Sequence, residues 1–316
     1  MYSIQFLQRW QIHPGKWDRC NLLAGNGHVY AQTAFLDALC PGWCALVLND
    51  YDVIMPLPQR TKWGIRYCYQ PFLTPMLGVV GNGLHEDLIA AFLAAIPKRY
   101  RLWDLSFNPG HPLPKGYRHQ IPRSNYVLSL NKPYDVLAKA FHRNIHQALA
   151  KANKHQLIVK RKVPLQDVIA TSAVQYPKVM KVEAGAFERV QAFAAAAPEQ
   201  VRTYGVYHPD GRLLASCAFL EFRKRAYYWL VGNKPEGRSM GASAFLLHAF
   251  ISDYAATDTV LDFEGSDQPG VAAFYRKFGA QHEPYLTLYN NRLSWPLCRL
   301  KKMPVNYRHL YHLSKL

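Results

Sequence analysis

Apolar and polar positions along the chain follow two periods. Short apolar runs broken by turn residues come first: Trp43–Asn49, Tyr51–Leu57 and Ile65–Tyr69. They predict an antiparallel meander. Pro71, Pro75 and the segment Gly78–Gly83 predict an irregular loop, Glu86–Ile96 a helix stopped by Pro97, and Arg101–Phe107 a strand. Asn108–Pro114 reads as a connector, and a strand over Asn125–Leu130 closes a first unit. The period then changes. Val136, Leu137, Ala140, Phe141, Ile145, Ala148 and Leu149 lie at helical spacing and predict one helix over Tyr134–Asn153. A strand at Leu157–Arg161 and helices at Leu165–Val174 and Ala186–Ala197 follow. Three consecutive antiparallel strands, Val201–Tyr207, Leu213–Phe222 and Arg225–Val231, are signalled by the turn His208-Pro-Asp-Gly211. A helix (Ala242–Tyr254), a strand (Val260–Phe263), a helix (Val271–Phe278) and a strand (Pro284–Tyr289) complete the pattern.

This order suits two mixed α/β domains, expected at 1–130 and 131–316 in a chain of 316 residues. It excludes a Rossmann fold, since no Gly-x-Gly-x-x-Gly opens a first strand, and a P-loop, since no Gly-Lys-Ser/Thr occurs. No apolar run reaches the roughly 18–20 residues of a membrane span. The start, Met1-Tyr-Ser-Ile-Gln-Phe6, has no basic segment followed by an apolar one, so a cytoplasmic location is expected. The six cysteines, Cys20, Cys40, Cys44, Cys68, Cys217 and Cys298, are scattered and read as reduced thiols rather than zinc ligands.

Charge adds a partner class. The net charge is +17, and most of it is concentrated in two stretches. Lys132–Lys162 holds eight Lys/Arg against the single acid Asp135, and Asn290–Leu316 holds six and no acid. Such a field recruits polyanions: tRNA, nucleotide-linked substrates or an anionic membrane surface. The tail Trp295–Leu316 is the segment expected to dock on a membrane.

Two segments carry candidate chemistry. Val231–Ser243 places glycines in a turn between an apolar strand and an apolar helix. Backbone N–H groups and a helix N-terminus aimed at one point can hold a phosphate. Pro269–Ala280 is an amphipathic helix that carries Tyr275 and ends at Gly279. Arg238-Ser-Met-Gly-Ala-Ser243 resembles the Arg-x-x-Gly-x-Gly/Ala loop of the GNAT acyltransferase superfamily, with Ser243 at a position where Gly or Ala is usual. Ala272–Ala280 is similar to that superfamily's Ala-x-x-Phe-Tyr-x-x-x-Gly-Phe element. Phe141-His-Arg-Asn-Ile-His-Gln-Ala148 resembles a helix of the Fem-type (FemABX-like) members, with His146-Gln147 departing from the basic pair of the pattern. The resemblance implies two GNAT-like domains, each a mostly antiparallel mixed sheet flanked by helices. It implies a transferase moving an acyl group from acyl-CoA or aminoacyl-tRNA to an amine, with a nucleotide-linked or cell-envelope precursor among the acceptors. No long helical-hairpin insertion, common in members that use aminoacyl-tRNA, is evident in the sequence.

On this reading Gly237, Arg238, Gly241, Ala242 and Ser243 cradle the carrier's phosphates, and the same residues equally suit a plain helix N-terminus. The resemblance implies that Tyr275 protonates the leaving group; a core aromatic beside Phe274 and Phe278 is the structural alternative. Glu264, ahead of Gly265, is the first choice of general base among Asp262, Glu264 and Asp267, against a loop acid; Ser266 and Asp267 equally suit a helix cap. Arg143 and Asn144 are candidates to contact an anionic acceptor. His142 and His146, four apart, lack a third ligand, so no metal is expected. The aromatic run Trp63–Phe72 reads as core of the first domain, or as an acceptor groove. A non-catalytic protein binding RNA, a nucleotide-linked ligand or a membrane on a degenerate GNAT fold is the competing class.

Overall fold

The computed structural model describes residues 2–117, 119–176, 182–265 and 267–300. The chain forms two compact units, one of residues 1–123 with 284–316 and one of Ser124–Glu283. The second is thus inserted into the first along the sequence. This differs from the expected division at 130/131, and pairing explains why. The strand expected to close the first unit pairs within the second, and the chain after Glu283 returns to a sheet of the first.

The first unit opens with β1 (Ile4–Gln8), α1 (Pro14–Leu23) and α2 (Thr33–Leu39). Then come β2 (Cys44–Leu48), β3 (Val53–Leu57), β4 (Gln59–Lys62), β5 (Ile65–Cys68) and β6 (Val80–Gly81). It continues with α3 (Glu86–Ala95), β7 (Tyr100–Ser106) and β8 (Gln120–Arg123). The expected meander is divided: β2 and β3 join a four-stranded sheet of order β1-β2-β3-β6, while β4 and β5 join another sheet across Pro58. Trp17, Trp43 and Phe35 are fully buried beside the first of these sheets. Trp63, read as core, is 89% exposed at the tip of the β4–β5 turn.

The second unit holds β9 (Tyr126–Ser129), α4 (Tyr134–Lys139), α5 (Arg143–Lys154), β10 (Ile158–Arg161), α6 (Leu165–Gln175) and α7 (Ala186–Ala196). Next are β11 (Val201–Tyr207), β12 (Leu213–Phe222), β13 (Arg225–Asn233), α8 (Pro235–Ser239) and α9 (Ala242–Tyr254). β14 (Val260–Asp262), α10 (Pro269–Arg276) and β15 (Gln281–His282) complete it. These strands make one seven-stranded sheet of order β10-β11-β12-β13-β14-β9-β15. The helix expected over Tyr134–Asn153 is two helices. The first ends at Lys139, and His142 caps the second, its ring Nδ1 accepting from the Asn144 N–H at 3.2 Å. The chain then returns to the first unit: β16 (Tyr285–Asn291) enters between β7 and β8 in a sheet of order β4-β5-β7-β16-β8, followed by α11 (Leu297–Leu300).

Alternation along the strands sorts the second core onto two faces. Phe219, Tyr204 and Phe250 cluster where α9 packs, Phe219 stacking on Phe250 at 3.7 Å between centroids. On another side Trp229 meets Phe193 of α7 edge-on at 5.8 Å, with α6 against β12 and β13. Each such buried side chain contributes roughly 1.5–3 kcal/mol. No helix among the described residues is long and apolar enough to cross a membrane. The tail expected to dock on one lies, beyond Leu300, outside the described residues. All six cysteines are free, with Cys40, Cys44, Cys68 and Cys217 buried.

α5 is packed close against the start of α9. Gly241 has φ +82, and a Cβ on it would stand 2.2 Å from the Ala148 carbonyl oxygen. Gly241→Ala is therefore expected to cost about 2–4 kcal/mol in urea unfolding. Gly270→Ala, in the first turn of α10 with nothing within 4 Å, is expected to be neutral or slightly stabilising.

Candidate active site

The site is organised by β13. Its parallel partner β14 pairs only from Arg225↔Val260 to Tyr227↔Asp262, after which β13 runs on to Asn233 paired with β12 alone. The two strands therefore part at Tyr227 and Asp262. On the other edge of β13 the register with β12 slips between Ala218↔Leu230 and Phe219↔Tyr228. This bulge leaves Trp229 as the extra residue and re-aims the strand beside the parting.

An ion cluster fixes the closed end. Asp262 is 1% exposed and receives Arg225 Nε at 2.7 Å. Arg225 also binds Glu283, which accepts from the Asn125 amide at 3.0 Å. The other Asp262 oxygen accepts the Glu264 N–H at 2.8 Å. Burial pushes the Asp262 carboxyl up from its ordinary value, and Arg225 and that N–H oppose the shift. Asp262 is therefore an anchor within the site. Glu264 follows with φ +59, a left-handed conformation that a non-glycine residue adopts at a cost of about 1–3 kcal/mol. Such strain clusters at functional positions.

Tyr275 lies on α10 against Phe263, whose ring stacks on it at 4.8 Å, and edge-on to Tyr228 of β13 at 6.4 Å. The residue is half-buried. Burial pushes the phenol far up from its ordinary value, and Tyr176, Glu264 and Asp262 push it the same way. Tyr228 and Tyr176 are raised by burial as well, Tyr176 also by Glu264. The structure thus brings the two residues expected for catalysis, Tyr275 and Glu264, to one place. It adds two phenols that sequence reading missed. Tyr176, at the end of α6, meets the backbone of Val231 in the free-running part of β13. In sequence it stands just before Pro177 and reads as a helix end; nothing local signals its partners.

The expected phosphate cradle is at the far end of β13. The turn is a one-turn helix, α8, rather than an open glycine loop. A Cβ on Gly237 would stand 2.6 Å from the Leu214 carbonyl oxygen, so at Gly237, as at Gly241, close protein backbone explains the glycine. Arg238 is exposed. Ala242 is buried in the first turn of α9, and no side chain caps that helix. Ser243, the departure from the family loop, donates its hydroxyl to Asn233 Oδ1 at 2.7 Å, while the Asn233 N–H donates to Gln175 at 3.0 Å. This bonding joins α6, β13 and α9 at the mouth of the turn. From Tyr228 to Asn233 an extended strand covers about 16 Å, which separates the phenols from the α9 N-terminus.

Arg143 and Asn144 are exposed in the first turn of α5. The His142 N–H donates to the Lys277 carbonyl at 2.7 Å, which sets that turn at the end of α10. Asp267, offered as a cap, accepts from the Ser124 N–H at 3.0 Å, and the residue preceding α10 is Gln268. Ser266 lies outside the described residues. No group of His, Cys, Asp and Glu among the described residues is arranged to hold a metal ion.

Most of these elements lie in a stretch similar to GNAT acetyltransferase domains. Residues 139–275 match the family model described as an acetyltransferase (GNAT) domain. Among curated proteins none matches this sequence. Solved structures share the fold at low identity. FemX aligns over 95% of this chain and 100% of its own, with TM-score 0.65 and 13% identity. L-PGS from Bacillus licheniformis aligns over 95% and 97%, with TM-score 0.55 and 12% identity. A C-terminal domain from Agrobacterium fabrum, named as that of a lysylphosphatidylglycerol synthetase, aligns over 90% and 93%, with TM-score 0.55 and 13% identity.

Burial holds the Tyr275 phenol in its protonated form, the form a proton donor needs. Tyr275→Phe is expected to lower turnover about 10²–10⁴-fold with donor binding unchanged, measured by initial rates and by direct titration. The same shift acts on stability. Above pH ~10 phenols of the unfolded chain ionise while the buried ones do not, so the unfolded state binds fewer protons and stability falls as pH rises. Urea unfolding between pH 9 and 11 is expected to show that fall, and to show less of it in Tyr275→Phe.

Proposed function

We propose that this protein moves an aminoacyl group from aminoacyl-tRNA to an amine on an anionic cell-envelope precursor, in the cytoplasm where charged tRNA is made. One observation carries the choice of donor. α5 is strongly amphipathic, and exposed cations crowd it and its neighbours in sequence: Lys139 at the end of α4, Arg143, Lys151 and Lys154 of α5, Lys160 of β10 and Lys162 after it. A row of cations suits the polyanionic backbone of an RNA, whereas a CoA thioester needs only the few charges near Arg238 and the α9 N-terminus. α5 begins beside α10, which carries Tyr275, and Ala148 lies against Gly241 at the start of α9. The shared fold with a domain named for lysylphosphatidylglycerol synthesis supports aminoacyl transfer.

In this reading the terminal ribose of the tRNA lies in the parting between β13 and β14. The acceptor amine attacks the ester carbonyl, the new C–N bond forms, and the C–O bond to the ribose breaks. Tyr275 donates its proton to the departing ribose oxygen. Glu264 takes the proton lost by the amine, directly or through a water it orients. Arg238 and the α9 N-terminus beside Ser243 bind a phosphate of the tRNA away from the acyl end, and Arg143 and Asn144 hold an anionic group of the acceptor.

The reading is tested with a mixture of charged tRNAs and with CoA. Filter binding of the tRNAs is expected to weaken steeply with salt, and Lys151→Glu with Lys154→Glu to flatten that slope by roughly one to two units. CoA is expected to leave the melting curve unchanged, although a bound ligand at about 100 times its Kd would add ~2.7 kcal/mol. A CoA-dependent shift lost in Arg238→Ala, without tRNA binding, would make acyl-CoA the donor. Tight tRNA binding with no transfer in any donor assay, unaltered by Tyr275→Phe, would make the protein a binding module.

A further inference from the structure

We infer that one end of the five-stranded sheet of the first unit is a docking surface for an anionic lipid bilayer. The topology gathers three segments there. β5 runs parallel to β7, with Arg66 opposite Tyr100, so the β4–β5 turn stands at the start of β7. β16 runs antiparallel to β7 with Asn291 opposite Leu102, and the Arg292 N–H donates to the Arg101 carbonyl at 2.7 Å, so the chain leaves β16 at that same end. The Asn291 amide then donates to the Cys298 carbonyl at 3.2 Å and holds the following segment in place.

The side chains collected there are of two kinds. Trp63 is 89% exposed, Trp295 75% and Leu297 42%. Trp63 and Gly64 have φ of 51 and 75, a tight hairpin turn that presents the indole at its tip. Around them Lys62, Arg66, Lys98, Arg99, Arg101, Arg292 and Arg299 are all exposed. No acid occurs in residues 59–68, 97–103 or 291–300. Indole rings favour the headgroup level of a bilayer, and cations beside them are attracted to anionic lipid. An exposed apolar group beside cations has binding strength from both sources.

A nucleic acid would use the same charge with the indoles stacked on bases. Here the Lys62 ammonium lies over the Trp63 ring at 4.7 Å, so one stacking face is taken. Leu297 and Pro296 are exposed beside Trp295 and offer a base neither a flat ring nor a hydrogen bond. Both features suit insertion into lipid. The surface lies wholly within the first unit, and the inference stands apart from the identity of the acyl donor.

The test is co-sedimentation of the full chain with vesicles of phosphatidylcholine alone and with about a third phosphatidylglycerol, at ~0.15 M salt. The wild type is expected to pellet with the anionic vesicles and to stay in solution with the neutral ones. Trp63→Ala with Trp295→Ala keeps every charge and is expected to weaken that binding at least about tenfold, with the melting temperature unchanged because both rings are solvent-exposed. Lys62→Glu with Arg66→Glu is expected to weaken it as well. A wild type that ignores anionic vesicles overturns the inference. So does a double Trp variant that pellets as the wild type does, which would leave only non-specific charge. A double Trp variant that loses tRNA in filter binding while keeping vesicles would assign the surface to RNA instead.

Discussion

The second unit depends on one buried ion cluster. Asp262 is removed from water, which costs several kcal/mol for a carboxylate left alone. Arg225 and the Glu264 N–H replace the lost hydration. Because Arg225 also holds Glu283, the start of β13, the end of β14 and the last residue of the unit are tied at one point. The same cluster ends the parallel pairing. Beyond Tyr227 and Asp262 the strands are free to diverge, and the left-handed turn at Glu264 follows from the hydrogen bond that Asp262 accepts.

Chemistry follows from that parting. A strand with a partner on one edge only offers backbone groups to whatever lies beside it, and Tyr176 already uses part of this edge at Val231. The phenols of Tyr176, Tyr228 and Tyr275 and the carboxylate of Glu264 lie close enough to act on one another. Burial and the neighbouring groups keep the Tyr275 phenol protonated, the form needed for the proton donation proposed for it. The α9 N-terminus stands at the other end of β13, so it and the phenols are held apart along a single strand. Ser243, Asn233 and Gln175 fix the spacing between them.

Much of the fold was legible in the residues because the signals were local. The Pro-Asp-Gly turn marked the three antiparallel strands β11, β12 and β13, and the apolar run after Gly241 marked α9. Tyr275 and Glu264 were legible as candidates because each stands at a recognisable position, one inside an amphipathic helix and one beyond a strand end. Other features were not legible. One apolar stripe is divided into α4 and α5, and His142 starts the second through a ring-to-backbone hydrogen bond that helical period does not encode. Gly237 and Gly241 read as room for a phosphate, but the space is filled by the carbonyls of Leu214 and Ala148, distant in sequence. Trp63 sits in aromatic text that reads as core and lies at an exposed turn, because the strands beside it form the edge of a sheet.

The sequence by itself determined the order and type of most elements, the concentration of positive charge and the resemblance of two segments to an acyltransferase loop and helix. These follow from side-chain period, turn chemistry and composition, all set within a few residues. Tertiary structure decided which unit each strand joins. β9 pairs with β14 and β15, while β16 enters between β7 and β8, because strand pairing is fixed by partners far away in the chain. It also decided the company of Tyr275 and the gathering of Trp63, Trp295 and their cations at one sheet end. Neither was visible in the order of residues, since both arise from where separate strands begin and end.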